Sequence, residues 1–237
     1  HVRCGENITI IGPNGAGKTT LLKAIGGLVT LASGEIVLNG RNLAQYRRQE
    51  IAKEIAYVPQ SAGLMASCTS FDFVLMGRYA HYRRLGGVSE QDKAAAREAL
   101  EVTGTTAFAE RTLKTLSGGE RQKVLIAAAL AQGAPILLLD EPSTFLDYKH
   151  AAEVTDLIEH LNRDSGLTVI SVSHDLNRGA LECDRILALD HGQISFTGTP
   201  DDLAQPGVLE GIYNTPLGLV DHPQSDIKVV VAMRRSQ

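Results

Sequence analysis

The chain has 237 residues, of which 23 are Lys or Arg and 27 are Asp or Glu, giving a formal net charge of −4. This length suits one large domain or two small ones, and a mildly acidic chain is a poor candidate for broad binding to nucleic acid or anionic membranes. Its longest apolar run, residues 124–139, is interrupted and too short to span a bilayer, and its three scattered cysteines predict reduced thiols rather than a disulfide framework or a zinc cluster.

The first part of the chain predicts a strand, a glycine-rich loop and a helix. A β-branched run at residues 7–11 predicts a buried strand. Residues 12–19 then form a loop, and residues 20–27 predict a helix that two glycines end. Further strands are expected at 35–39 and 55–58, and Asn39-Gly40 predicts a turn after the first of them.

The rest of the chain alternates helical and strand patterns. Residues 69–104 are mainly helical in pattern, and Ser117 with Glu120 forms a capping box ahead of an apolar helix at 124–131. The continuous apolar run 136–139 is typical of a strand covered on both faces. A helical pattern follows at residues 154–161. Two short strands are expected at 168–172 and 185–189, and residues 199–202 form a capped helix start. This alternation predicts an α/β fold with a mainly parallel sheet.

A phosphate-binding loop is the strongest motif in the sequence. Residues 12–19 match the pattern G-x-x-x-x-G-K-[ST] between a strand and a helix, where the motif must lie. Glycines let backbone N–H groups surround phosphate oxygens at a helix N-terminus. An ordinary glycine-rich turn is the alternative, and the flanking strand and helix favour nucleotide binding. The predicted nucleotide-binding residues are Gly12, Pro13, Asn14, Gly15, Ala16, Gly17, Lys18, Thr19 and Thr20.

Candidate catalytic groups follow two of the later strands. Asp140 ends the apolar strand and can hold Mg²⁺ together with the Thr19 hydroxyl, while Glu141 is placed to polarise a water as general base. An Asp-Glu pair alone is more often the start of a solvated loop, but Mg²⁺–ATP requires both carboxylates. His174 ends the strand 168–172, at the edge where open α/β sheets bind ligands. Alone it would more often be structural.

The phosphate-binding loop and four further motifs, five in all, make the chain resemble the nucleotide-binding subunit of an ABC (ATP-binding cassette) transporter. The segment 116–120, Leu-Ser-Gly-Gly-Glu, is similar to the signature motif of that family, and Gln60 matches its glutamine loop. Residues 143–147 resemble its D-loop, with Phe145 in place of the usual small residue, and His174 matches its switch histidine. The resemblance runs from the first strand to about residue 200.

The resemblance implies a head-to-tail dimer with two ATP molecules buried between the phosphate loop of one subunit and the signature of the other. It implies catalytic roles for Lys18, Gln60, Glu141 and His174, with Gln60 as a ligand of Mg²⁺ or the water. Contacts to the ATP of the partner would come from Ser117, Gly118, Gly119, Glu120 and Asp147. A capping box with no further role remains the alternative for Ser117 and Glu120.

The resemblance also implies an organisation for the chain. We expect one ABC ATPase domain over residues 1–237, of the P-loop NTPase fold, with a helical subdomain at about 69–133 and a C-terminal extension at about 199–237. A small antiparallel β part is expected near the N-terminus, incomplete here. None of the eleven residues before Gly12 is Phe, Tyr or Trp, so no adenine-stacking residue is predicted and base recognition is expected to be poor.

Two short stretches resemble importers of iron chelates, haem and cobalamin. They are residues 74–79, after the glutamine loop, and residues 211–213 with 221–223 near the C-terminus. We therefore expect a peripheral subunit on the cytoplasmic face of the inner membrane, with a second copy, membrane permease subunits and, indirectly, a substrate-binding protein as partners, and without nucleic acid. Other importers and lipoprotein or export systems remain alternatives.

Three rivals from other classes fit the sequence less well. A DNA-maintenance ATPase would carry a long coiled coil or zinc module between Lys18 and Ser117, where only about a hundred residues lie, without heptads or cysteine pairs. A soluble translation-type ABC protein would carry two cassettes. A simple P-loop kinase would lack the segment 116–120.

Overall fold

The computed structural model describes residues 1–60, 67–82, 87–177, 182–221 and 228–233. Within them the strands are β1 Asn7–Ile11, β2 Val37–Leu38, β3 Arg41–Asn42, β4 Ile55–Val58, β5 Ile136–Asp140, β6 Thr168–Val172, β7 Arg185–Asp190, β8 Gln193–Gly198, β9 Leu217–Asp221 and β10 Lys228–Ala232. The helices are α1 Lys18–Ile25, α2 Arg48–Glu54, α3 Ser70–Met76, α4 Glu90–Val102, α5 Gly118–Ala131, α6 Tyr148–Ser165, α7 Pro200–Leu203 and α8 Val208–Tyr213.

The main sheet has six strands in the order β4-β5-β6-β1-β7-β8. The first five are parallel, and β8 returns antiparallel to β7. The parallel strands β4, β5 and β6 are neighbours, so their carboxyl ends meet at one edge. This confirms the predicted α/β fold with a mainly parallel core.

Helices cover both faces of the sheet. On one face Leu137 and Leu139 pack with α5 and α6. On the other face Leu138 packs with Leu22 of α1. Alternate residues of β5 face opposite sides of the sheet. A strand covered on both sides is therefore expected to be apolar throughout, and residues 136–139 are, with Asp140 as its polar last residue.

A helical group lies beyond α5. Helices α3, α4 and α5 share a core that includes Val74, Leu100 and Val124. Ser89 caps α4 in a capping box with Asp92. Arg78 joins the group from the 3₁₀ turn Gly77–His81 and contacts Asp92 at 3.1 Å in a nearly buried ion pair.

The C-terminal part of the chain forms a small unit of two helices and two strands. Helices α7 and α8 and the antiparallel pair β9–β10 pack on a core that includes Leu203, Leu209 and Ile212. Thr199 caps α7 with proline at the first helical position, as expected. The motif residues 222–223 lie outside the described residues.

Several predicted bounds were wrong. Helix α1 begins at Lys18 and ends at Ile25, not 20–27, and α5 begins at Gly118 rather than 124, directly after its cap. The strand expected at 35–39 is only Val37–Leu38, which pairs with β3 across the predicted Asn39-Gly40 turn. Helix α2 and strands β8, β9 and β10 were not predicted, although Ile194 and Phe196 alternate with polar residues in β8 and β10 holds three consecutive valines.

Candidate functional site

The phosphate-binding loop takes a shape that only glycine permits at its first position. Gly12 has φ +135°, and a Cβ there would lie 2.0 Å from the carbonyl oxygen of Leu189. Gly17, the N-cap of α1, has φ +98°. Strand β1 therefore runs through this tight loop straight into the N-terminus of an eight-residue helix, which favours anions there.

Lys18 is buried inside the loop that carries it. Its ammonium donates to the carbonyls of Gly12 at 2.8 Å and Pro13 at 2.9 Å. Burial lowers the pKa of Lys18, while the nearby carboxylates of Glu141 and Asp140 act in the opposite direction. An ammonium group held by these two carbonyls at the start of a helix is suited to bind phosphate oxygens.

Asp140 joins this loop to the neighbouring strands. Its Oδ1 accepts a hydrogen bond from the Thr19 hydroxyl at 2.8 Å, and its Oδ2 accepts one from Tyr57 at 3.0 Å. Burial and this bond to Asp140 raise the pKa of Tyr57, which stays a neutral donor. Asp140 itself is buried. A buried carboxylate beside a hydroxyl is a set of oxygen ligands that suits a hard cation such as Mg²⁺.

Glu141 is the centre of a second group of side chains. Its Oε2 accepts from the amide of Gln60 at 2.8 Å and from the Thr144 hydroxyl at 2.9 Å, and it lies 3.3 Å from Nδ1 of His174. Thr144 also lies 3.4 Å from that nitrogen. The Glu141 backbone turns at φ +50°, uncommon for a residue other than glycine.

The sheet explains why these residues meet. Gln60, Glu141 and His174 follow β4, β5 and β6, and Asp140 is paired in register with Val172. The Glu141 N–H also donates to the Val172 carbonyl at 3.0 Å. The structure thus brings together Glu141 and His174, which the sequence placed at strand ends, and Gln60, which was indicated only by resemblance.

The signature segment makes its contacts locally. Ser117 caps α5 by accepting from the Glu120 N–H, and the Glu120 carboxylate accepts from the Ser117 N–H at 2.7 Å. This bond is the main reason that the pKa of Glu120 is lowered. Gly119 packs closely on α6, where a Cβ would lie 2.5 Å from the His150 ring. The predicted capping box is therefore present.

The D-loop segment exposes an aromatic side chain. Phe145 has φ +65° and is 85% exposed, and Tyr148 three residues later is 87% exposed. Between them Asp147 caps α6 and accepts from Nδ1 of His150 at 2.8 Å. The His150 N–H and side chain lower the pKa of Asp147.

Sequence reasoning missed two members of the site. The sequence indicates Tyr57 only as part of the glutamine-loop segment, and Thr144 only as part of the D-loop. Both are ordinary residues whose role depends on partners 83 and 3 residues away. A hydroxyl three residues after Glu141 is a signal that could have pointed to Thr144.

The fold and the site together define a nucleotide-binding α/β protein of the P-loop class. Residues 1–144 match the sequence profile of the ABC transporter family. The chain is similar to the iron(3+)-hydroxamate import ATP-binding protein FhuC of Bacillus subtilis, with 37% identity over 94% of the chain and 82% of the relative. It is 36% identical to the ferric enterobactin transport ATP-binding protein FepC of Escherichia coli, over 98% and 86%. It is 39% identical to the hemin import ATP-binding protein HmuV of Streptomyces coelicolor, over 99% and 82%.

Solved structures give the same result. A metal-chelate type ABC transporter in an inward-facing conformation superposes with a TM-score of 0.86 at 26% identity, over 99% of this chain and 88% of that one. A dimeric ATP-binding cassette bound to ADP and Pi gives 0.73 at 30% identity, over 84% and 88%. The chain belongs to the ABC transporter family, whose ATP-binding subunits hydrolyse ATP to drive transport. In the described part of the chain no helix is long and apolar enough to cross a membrane.

Proposed function

We propose that this chain is the ATP-binding subunit of an importer, and that its cargo is an iron chelate, haem or cobalamin. The proposed ATPase activity is supported by one observation, the group of Gln60, Glu141, Thr144 and His174 beside the phosphate-binding loop. The relatives named for import of hydroxamate, enterobactin and hemin support the cargo class.

ATP would bind with its phosphates in the loop of residues 12–19 and at the N-terminus of α1. Lys18 already lies inside the loop, so a phosphate oxygen would replace its two carbonyl partners. Its ammonium would then stabilise charge that develops on the transferred phosphoryl group. Thr20 lies in the first turn of α1 beside it.

Mg²⁺ would be held by Thr19 and Asp140, with Gln60 as a further oxygen ligand. These residues fit the ion, because the Thr19 hydroxyl and the Asp140 carboxylate are already 2.8 Å apart. The described residues contain no group of three His, Cys, Asp or Glu that could hold a metal alone, so phosphate and water would complete the ligands. When bound, Mg²⁺ supplies charge neutralisation at the phosphate oxygens.

Glu141 would take a proton from the attacking water. Gln60 and Thr144 donate to one of its oxygens, which leaves the other oxygen for the water. His174 lies on the same side, where it would orient the water or contact the γ-phosphate. A carboxylate held by two donors is fixed in position before substrate arrives.

A second copy of the chain would complete each ATP site. Residues 117–120 present the N-terminus of the 14-residue helix α5, which would face the γ-phosphate bound by the partner. Asp147 lies on the adjacent segment, and the exposed Phe145 and Tyr148 give that surface aromatic area to bury in a dimer. Ser117 would exchange its capping bond for a phosphate oxygen.

A groove on the surface of α2 would bind the membrane permease. It has a volume of about 790 Å³ and lies between α2 and the 3₁₀ turn after α3. Met76 and Tyr79 line it and are 57% and 78% exposed, and Arg48 borders it. A short amphipathic helix of the permease would fit such an apolar groove. The subunit would then lie on the cytoplasmic face of the membrane and meet a substrate-binding protein only indirectly.

Uptake in cells tests this function. In a strain without the gene for this chain, we expect loss of uptake of one labelled cargo among a ferric siderophore, haem and cobalamin. The wild-type gene should restore it, and Glu141→Gln should not. If uptake of all three cargoes were unchanged in the deletion strain, the proposed cargo class would be wrong.

A further inference from the structure

The C-terminal unit, α7 to β10, packs against both loops that carry the proposed ATP chemistry. Its core residues Leu203, Leu209 and Ile212 form one apolar cluster with Ile11, the residue directly before Gly12. Leu176, two residues after His174, packs on the same cluster. One small core therefore connects the start of the phosphate-binding loop, the His174 segment and the C-terminal unit.

A hydrogen bond links this unit to the first glycine of the loop. The Tyr213 hydroxyl at the end of α8 accepts the Gly12 N–H at 3.1 Å. On the other side of Gly12, its carbonyl accepts from Lys18 at 2.8 Å. The two peptide groups that flank Gly12 are thus held by different side chains, and Tyr213 is the one that comes from outside the loop. Burial raises the pKa of this phenol, which remains neutral.

A second link reaches the segment that carries His174. The Asn177 amide pairs with both backbone groups of Val230 in β10: its Oδ1 accepts the N–H at 2.6 Å, and its Nδ2 donates to the carbonyl at 3.4 Å. The Asn177 N–H donates in turn to the Asp175 carboxylate at 3.0 Å. The two hydrogen bonds to Val230 therefore attach the chain to β10 three residues after His174.

We propose that the C-terminal unit positions both loops for ATP turnover, with Tyr213 and Asn177 as its positioning residues. Tyr213 fixes the entry of the phosphate-binding loop and so supports nucleotide affinity. Asn177 fixes the segment that carries His174 and so supports the hydrolytic step. The inference rests on the proposed roles of that loop and of His174. It assigns a function to the segment 211–213, which the sequence singled out only as a resemblance.

Nucleotide binding tests the first contact. In the purified full chain, Tyr213→Phe keeps the ring and removes the hydroxyl, so we expect the Kd for ADP and the KM for ATP to rise roughly 3- to 10-fold, the effect of one hydrogen bond, with kcat within about twofold of wild type. The matched control is Tyr46→Phe, which loses a bond from its hydroxyl to the Leu38 carbonyl at 2.8 Å in another part of the fold. A Tyr213→Phe protein whose Kd for ADP equals that of the control would overturn the role of Tyr213.

Turnover tests the second contact. We expect Asn177→Ala to lower kcat roughly 3- to 10-fold while the Kd for ADP stays within about twofold of wild type. A merely structural role would change both kcat and the Kd for ADP or neither, and either pattern counts against the proposal.

Lys18→Ala separates this inference from the proposed function. If Lys18→Ala binds ADP normally, the phosphate cradle itself is wrong. If Lys18→Ala loses ADP binding while Tyr213→Phe keeps it, the proposed function stands and the role of Tyr213 is wrong.

Discussion

Replacement of Glu141 by Gln separates ATP binding from ATP hydrolysis. Oε2 of Glu141 accepts from Gln60 at 2.8 Å and from Thr144 at 2.9 Å. The amide oxygen of Gln can accept both bonds, so the local structure and the nucleotide affinity should be retained. Its NH₂ group cannot accept a proton from water, so the general base is lost.

The size of the effect follows from that missing base. General base catalysis contributes about 10²- to 10⁴-fold, and kcat should fall by that factor, which corresponds to a barrier higher by about 2.7–5.4 kcal/mol. Phosphate release at saturating Mg²⁺–ATP measures kcat, and titration with a fluorescent ATP analogue measures affinity. Glu98→Gln, at an exposed position of α4, is the matched control.

Two results would refute this reasoning. Turnover of Glu141→Gln close to that of wild type would remove Glu141 from the role of base. A loss of nucleotide affinity equal to the loss of turnover would mean that the carboxylate charge holds Gln60 and Thr144 in place, and that its effect on hydrolysis is indirect.

Three further predictions concern binding and stability. Lys18→Ala should weaken nucleotide binding by at least about tenfold, and unchanged affinity in a titration would contradict the cradle. Gly12→Ala should destabilise the fold by about 3 kcal/mol or more, because its Cβ would meet the Leu189 carbonyl at 2.0 Å; a wild-type denaturation midpoint would contradict this. Hydrogen bonds from Ser89 lower the pKa of Asp92 to about 2, below its value in the unfolded chain. Its contribution to stability is therefore present above about pH 4 and is lost as the pH falls toward about 2. Melting curves of Asp92→Asn should lose that part of the pH dependence, and an unchanged profile would contradict the assignment.

The parts of the site that the sequence could predict are those with local causes. The loop of residues 12–19 needs glycines at fixed spacing, and the capping box of Ser117 and Glu120 spans three residues. Both features are visible in any short window. The strand ends were also predictable, because a short, continuous apolar run such as 136–139 is typical of a strand buried on both faces.

The parts that could not be predicted depend on distant partners. Tyr213 contacts Gly12 across 201 positions, and Tyr57 contacts Asp140 across 83. No periodicity reports which strand ends become neighbours, so the sequence gives candidates but not their pairing. The start of helix α5 was missed for a different reason: Gly118 and Gly119 look like a loop, but the capping box of Ser117 and Glu120 places the first helical residue at Gly118.

The central claim, that this chain powers a membrane transporter, is tested most directly by its membrane partner. The full-length protein would be purified by affinity from detergent-solubilised membranes, and its companions identified and quantified by mass spectrometry. We expect a polytopic permease in equal amount, lost when Tyr79 in the groove is replaced by Asp. A protein that comes without a membrane partner, or with nucleic acid, would contradict the claim.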